Sequence, residues 1–175
     1  MSDGLIEYGG RKIARRPTSY SEEVASAVFD FIKQELADAM GYHVEQIERD
    51  RSSFIQAALL KSQDGYQMTR YLDDYCGWPC DRNVVEILDD APWSNVHREF
   101  VMQWRSYWKL EPLFKVGDKV KYSWNGEQFS SAIVDVTQIG WTPASYTMAP
   151  QPEESGRHIV YWENCQAIDE PEARP

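Results

Sequence analysis

The chain has 175 residues, 42% apolar and 26% charged, a balance that describes a folded protein able to bury a core and not a disordered tail. Eighteen Lys and Arg stand against 28 Asp and Glu, giving a formal net charge of -10. That excess argues against a general grip on DNA or RNA phosphate or on an anionic membrane surface, and favours basic or neutral partners.

Residues 1–18 read as a flexible arm. Gly4, Gly9, Gly10 and Pro17 discourage regular structure, and Arg11, Lys12, Arg15 and Arg16 outweigh Asp3 and Glu7. Two readings stand: a frayed terminus docking through Leu5, Ile6 and Tyr8, or a basic arm touching phosphate or an acidic partner.

Residues 19–111 carry apolar side chains at helical intervals. Ser19 with Glu22 fits a capping box for a first helix, with Val24, Val28, Phe31, Ile32, Leu36 and Met40 as its stripe and Gly41 as its C-cap. A second helix is expected over about 44–60, burying Val44, Ile47, Phe54, Ile55, Ala58 and Leu59. Its middle, Glu48-Arg49-Asp50-Arg51, is a solvated face or a break. Asp64 with Gln67 caps a third helix, whose stripe is Met68, Tyr71, Leu72 and Tyr75 and whose stop is Gly77. Asp81 caps a short fourth helix carrying Val84, Val85 and Leu88. Pro92 breaks it, and Ser94 caps a fifth with an aromatic face of Val96, Phe100, Val101, Trp104, Tyr107 and Trp108. Five short helices on short loops predict a compact helical domain.

Near Pro112 the texture changes to strand period. Val120, Tyr122 and Trp124 share one face of a strand over about 119–124. Asn125-Gly126 predicts a type I′ turn, which needs positive φ at both central residues. Further strands are expected over about 132–139, 142–148 and 158–162, with a loop over 150–156 and a closing strand near 166–168. The fold class is α+β: a bundle of about five short helices, then a small β-barrel over 112–170 and a tail at 171–175. Phe114, Gly117-Asp118-Lys119-Val120, the turn at Gly126 and the strand Ile159-Val160-Tyr161-Trp162 carry a resemblance to SH3-like or Tudor-like barrels, over about 60 residues. The resemblance implies a binding module and brings no catalytic residue with it. In a Tudor-like barrel such aromatics line a cage for a methylated cation.

The chemistry-bearing residues are sparse. Cys76, Cys80 and Cys165 do not make a disulfide framework. Cys76-x-x-x-Cys80 reads as buried thiols; the competing zinc reading, completed by His97 or Cys165, lacks the usual paired spacing. No metal and no cofactor is expected. His43, His97 and His158 lie in different elements beside no nucleophile motif, so no catalytic residue is assigned. The start lacks the apolar core of a secretory signal and no stretch reaches about 18 apolar residues, which predicts a cytoplasmic protein.

Two features point to a partner. Among the 7 Trp, 10 Tyr and 6 Phe, the candidates for contact are Tyr122, Trp124, Trp141 and Tyr161, with core filling as their competing use. Asp73, Asp74, Asp81, Glu86, Asp89 and Asp90 fall within 18 residues against Arg82 alone. Asp73 and Asp74 end one helix and Asp89 and Asp90 another, where acids oppose the macrodipole at about a few tenths of a kcal/mol each. Stability does not explain them; a solubility face or a contact does. The expected function is a non-catalytic protein-binding module with a basic partner. Its sharpest form is a phage or mobile-element inhibitor or adaptor, acting on a nucleic-acid-handling protein through a phosphate-mimicking face. No direct DNA, RNA or membrane binding is expected. The alternative is a small enzyme with a dispersed site at the helix–barrel cleft.

Overall fold

A computed structural model describes residues 4–151 and 156–168. The expected tail at 171–175 and part of the expected loop at 150–156 lie outside the described residues. The architecture is helices followed by an antiparallel sheet, as the periodicity implies. Two compact units form: residues 17–100, and the residues before 17 together with those after 100.

In the helical unit, α1 (Glu22–Met40) starts two residues later than the Ser19 box implies. Its N-cap is Ser21, whose hydroxyl accepts from Val24 N–H at 3.3 Å, with Glu22 and Glu23 in the first turn. The Ser19 carbonyl instead accepts from the Gln63 side chain. Gly41, at φ 68°, closes the helix. Phe31 is not in the stripe; it lies exposed, and Phe29 takes the core position against Phe54, with ring centroids 5.1 Å apart.

The expected second helix is two, α2 (Val44–Arg49) and α3 (Arg51–Leu60), so the 48–51 segment is the break. Arg51 holds it to α1: its guanidinium donates to the Asp30 and Glu48 carboxylates and the Ser26 carbonyl, and lies 4.7 Å from the Phe29 ring centroid. Asp64 caps α4 (Gly65–Cys76), accepting from Gln67 N–H at 2.8 Å, and Gly77 at φ 71° ends it. Asp81 caps α5 (Arg82–Asp89), accepting from Asn83 and Val84 N–H. The next helix, α6 (Trp93–Trp108), starts directly after Pro92 and not at a Ser94 cap; the Pro92 carbonyl accepts from Val96 N–H at 2.9 Å. Phe29, Ile47, Phe54, Met68, Leu72, Trp78, Val84, Leu88 and Trp93 make the core of this unit. The division between units falls inside α6 and not near Pro112, because Trp93 and Val96 pack with that core while Val101, Trp104 and Leu110 pack with the barrel core.

In the barrel unit, the expected arm is largely a hairpin, β1 (Leu5–Tyr8) and β2 (Arg11–Ala14). Gly9 and Gly10, which read as breakers, are its two-residue turn, at φ 56° and 74°. Ile13 is fully buried, and the Tyr8 hydroxyl donates to the Glu111 carbonyl at 2.6 Å. The main sheet has β3 (Lys119–Trp124), β4 (Glu127–Thr137), β5 (Ser145–Met148), β6 (Ile159–Tyr161) and β7 (Cys165–Ala167), with a 3-10 turn at Trp162–Asn164. Asn125 and Gly126, at φ 48° and 85°, make the turn the sequence predicts. The order β6-β5-β4-β3-β7 is antiparallel throughout and curls into an open half-barrel, with a register shift between Ile133 and Asp135 in β4. Val120, Tyr122, Ile133, Tyr146, Met148, Val160 and Trp162 fill its concave side. Among the described residues no helix is long and apolar enough to cross a membrane.

Candidate functional site

The acidic residues come from α4 and α5. The short link from Gly77 to Asp81 makes the two helices antiparallel, so Asp73 and Asp74 at the end of α4 lie near Asp81 at the start of α5. Asp89 and Asp90, at the end of α5, lie beside the start of α4. Eight residues of α5 separate the two groups by about 12 Å. All six side chains are exposed. Their roles differ. Asp81 is the α5 cap. Asp89, seemingly misplaced at a helix C-terminus, accepts from Gly65 N–H at 2.9 Å, so it serves the N-terminus of α4. Asp81 is the cap the sequence predicts, and the expectation that stability does not explain the acids ending the helices is corrected for Asp89. Asp74 pairs with Arg70 at 3.8 Å and Glu86 with Arg82 at 2.8 Å, both open to solvent, where such pairs contribute little. Asp73 and Asp90 have no ionic partner among the described residues.

Beside Asp74 runs a shallow groove of about 470 Å³ lined by Lys61, Tyr66, Gln67, Arg70, Tyr71 and Tyr75. Tyr75 is 77% exposed, so it is not part of the buried stripe, and Tyr66 is exposed as well. Sequence period alone missed this surface: Tyr71 is half-buried and sets Tyr75 against it, centroids 5.2 Å apart, outside the core.

The four aromatics chosen in the barrel fare differently. Tyr122 is 2% exposed and belongs to the core, which removes it from any contact surface. Its hydroxyl lies 3.1 Å from His158 Nδ1. Trp124 is half-buried and stacks on the His158 ring, centroids 4.8 Å apart. Tyr161 is half-buried, and the Arg16 guanidinium lies 4.0 Å from its ring centroid. Arg16 also pairs with Glu163 at 2.7 Å and donates to the Pro143 and Ala144 carbonyls. One face of Tyr161 is thus taken by a protein cation. Trp141 is 82% exposed. Trp124 and Tyr161 meet in a groove of about 310 Å³ with Ser123, Thr142, Ile159, Val160 and Asn164.

The thiols and imidazoles are engaged structurally. Burial pushes the Cys80 thiol up to about 12, with the nearby Asp73 carboxylate adding to the effect, and burial pushes Cys165 up to about 12 as well. The His97 ring lies 3.0 Å from the Pro17 carbonyl, and His43 is exposed at the start of α2. Among the described residues no three His, Cys, Asp or Glu side chains are grouped to hold a metal ion. Comparison with known proteins finds no matching family model, no matching curated protein and no matching solved structure.

Proposed function

We propose that the protein is a non-catalytic binding module whose helical unit offers an acidic face to a basic protein partner. The observation that carries this reading is the segregation of charge. Residues 17–100 hold 7 Lys and Arg against 16 Asp and Glu, so nearly the whole net charge of -10 sits in that unit. Such a field steers a basic surface into encounter and repels phosphate. Proteins that handle nucleic acid present a basic surface to phosphate, so a partner of that kind fits an acidic face. An inhibitor or adaptor of phage or mobile-element type fits this chemistry. The barrel unit supports a binding role too: its antiparallel half-barrel, with the fifth strand returning beside the first after a 3-10 turn, agrees with the small-barrel resemblance that implies a binding module.

The test is capture from nuclease-treated lysate at two salt concentrations, with the native chain and with an Asp73→Asn, Asp74→Asn, Glu86→Gln, Asp90→Asn variant. Asp81 and Asp89 are left intact because they cap helices. A protein retained by the native chain without nucleic acid, and lost both to the variant and to salt, is expected. Equal retention by the variant, or retention only while nucleic acid is present, would overturn the reading.

A further inference from the structure

Among the described residues the barrel unit has two backbone edges without a strand partner, and both line one groove. Among the described residues β6 pairs only with β5. Met148 N–H donates to the His158 carbonyl at 2.8 Å, and Trp162 N–H donates to the Ala144 carbonyl at 3.1 Å. In an antiparallel ladder, bonded residues alternate with residues whose N–H and C=O point the other way. His158, Val160 and Trp162 therefore turn their peptide groups toward β5, while Ile159 turns both of its groups outward and Tyr161 its N–H; the Tyr161 carbonyl, at the start of the 3-10 turn, accepts from Cys165 Sγ at 3.8 Å. On β3, Ile133 N–H donates to the Asp118 carbonyl at 2.9 Å, which directs the even-numbered residues toward β4 and Ser123 away from it. Strand β7 pairs with Val120, Lys121 and Tyr122 only, so β3 continues past it. The β6 edge and Ser123-Trp124 both line the groove of about 310 Å³.

The lining side chains of that groove, from Ser123 and Trp124 through Thr142 and Ile159 to Tyr161 and Asn164, include no charged group. A basic segment would lose hydration there and meet no carboxylate, while a neutral one matches the lining. Trp124 is held by its stack on His158 and Tyr161 by Arg16, so two aromatic anchors are set in place before any ligand arrives. We propose that this groove takes an extended, uncharged peptide segment of a partner protein, which adds as a strand along the outer edge of β6 and rests a side chain on Trp124. Main-chain bonds to the Ile159 N–H and carbonyl and to the Tyr161 N–H supply the attachment, and the aromatic groove supplies the choice of side chain. This contact is independent of the acidic face and uses the other unit.

The experiment is selection of a random peptide library on the full native chain, with counter-selection on an Ile159→Pro variant. Proline removes the outward N–H at that edge position, where strands accept it, and with it the Ile159 side chain of the groove lining, so the N-methylated peptide tests the main-chain bond by itself. The best peptide is then synthesised plain and with alternate backbone nitrogens methylated. The plain peptide is expected to be uncharged and to shift and protect the Ile159 and Tyr161 amides in NMR spectra. N-methylation and Trp124→Ala are each expected to weaken it about tenfold, the effect of one lost hydrogen bond or anchor. Its binding should be indifferent to salt and to the four acidic substitutions, so its failure and that of the acidic-face reading are told apart. A library that yields no peptide preferring the native chain, a peptide that binds equally well when methylated, or one that shifts only α4 and α5 amides would overturn the proposal. If Ile159→Pro does not fold, the methylated peptide and Trp124→Ala decide.

Discussion

Asp89→Ala is expected to destabilise the helical unit, although Asp89 is an exposed acid at the wrong end of its own helix. Its carboxylate accepts from Gly65 N–H at 2.9 Å, one of the donors at the start of α4 that has no partner within that helix. Losing a charged acceptor there costs about 1–2 kcal/mol, and relieving the α5 dipole returns about a few tenths. The net loss is about 1 kcal/mol, which lowers Tm by about 4–8 °C in a unit of this size. Asp90 is the internal control: it sits one residue on, exposed and without an ionic partner among the described residues, so Asp90→Ala should leave Tm unchanged or raise it slightly. Gly65→Ala probes the same contact from the other side. A Cβ at Gly65 would lie 2.8 Å from the Asp89 backbone nitrogen and closer still to Oδ1, so the end of α5 must shift. That cost should exceed the gain from alanine's helix propensity, which at this first helical position is smaller than the roughly 1 kcal/mol of a helix interior. Thermal unfolding followed by far-UV circular dichroism reads all three. An Asp89→Ala chain as stable as the native one, or an Asp90→Ala chain that loses as much, would refute the capping assignment.

Other expectations follow from the same contacts. Arg16→Met should cost about 3–5 kcal/mol in urea unfolding, because it strands the Glu163 carboxylate, 8% exposed, without its partner; a loss under 1 kcal/mol would contradict a buried pair. Hydrogen bonds from Arg51 and Lys33 hold the Asp30 carboxyl down at about 2. The stabilisation this brings is present above the ordinary value of 3.8 and is lost as pH falls through about 2. Since Asp30 is half-exposed, Asp30→Asn should cost under about 1 kcal/mol at neutral pH, and the gap to the native chain should close between about pH 4 and 2. A gap that widens on acidification would reverse the sign. With thiols raised to about 12, Cys80 and Cys165 should react slowly with a disulfide reagent at about pH 8 until the chain is unfolded; fast labelling of both in the native protein would show them open.

What the sequence made legible is what four or five consecutive residues decide. Asn125-Gly126 and the αL residues Gly41 and Gly77 stand where their chemistry predicts, as do the caps at Asp64 and Asp81. What it hid depends on partners far along the chain. Tyr8 and Ala14 hold the first hairpin in place through Glu111 and Trp104, about a hundred residues away, so Leu5–Tyr8 looked like an arm. Arg16 meets Glu163 across 147 residues, which no local pattern announces. Asp89 reads as an unfavourable acid until α4 and α5 are packed antiparallel. Strand alternation placed Tyr122 and Trp124 on one face correctly. It did not reveal that Tyr122 lies under the sheet's concave side while Trp124 reaches the groove, because only the curl of the sheet separates them. The tyrosines of α4 show the same limit. The three- and four-residue spacing is shared by buried Met68 and Leu72 and by exposed Tyr75, and only the packing tells them apart.

The acidic face of the helical unit is tested most directly by association kinetics. A partner captured by the native chain is measured against that chain and against the Asp73→Asn, Asp74→Asn, Glu86→Gln, Asp90→Asn variant, at low and high salt. Exposed carboxylates at an interface rim steer encounter and are screened within about 8 Å at physiological ionic strength. The variant should therefore associate more slowly at low salt, dissociate at nearly the native rate and keep the native Tm, and the difference should vanish at high salt. Identical association rates for the two chains at both salt concentrations would contradict the account and leave the acids as a solvated surface.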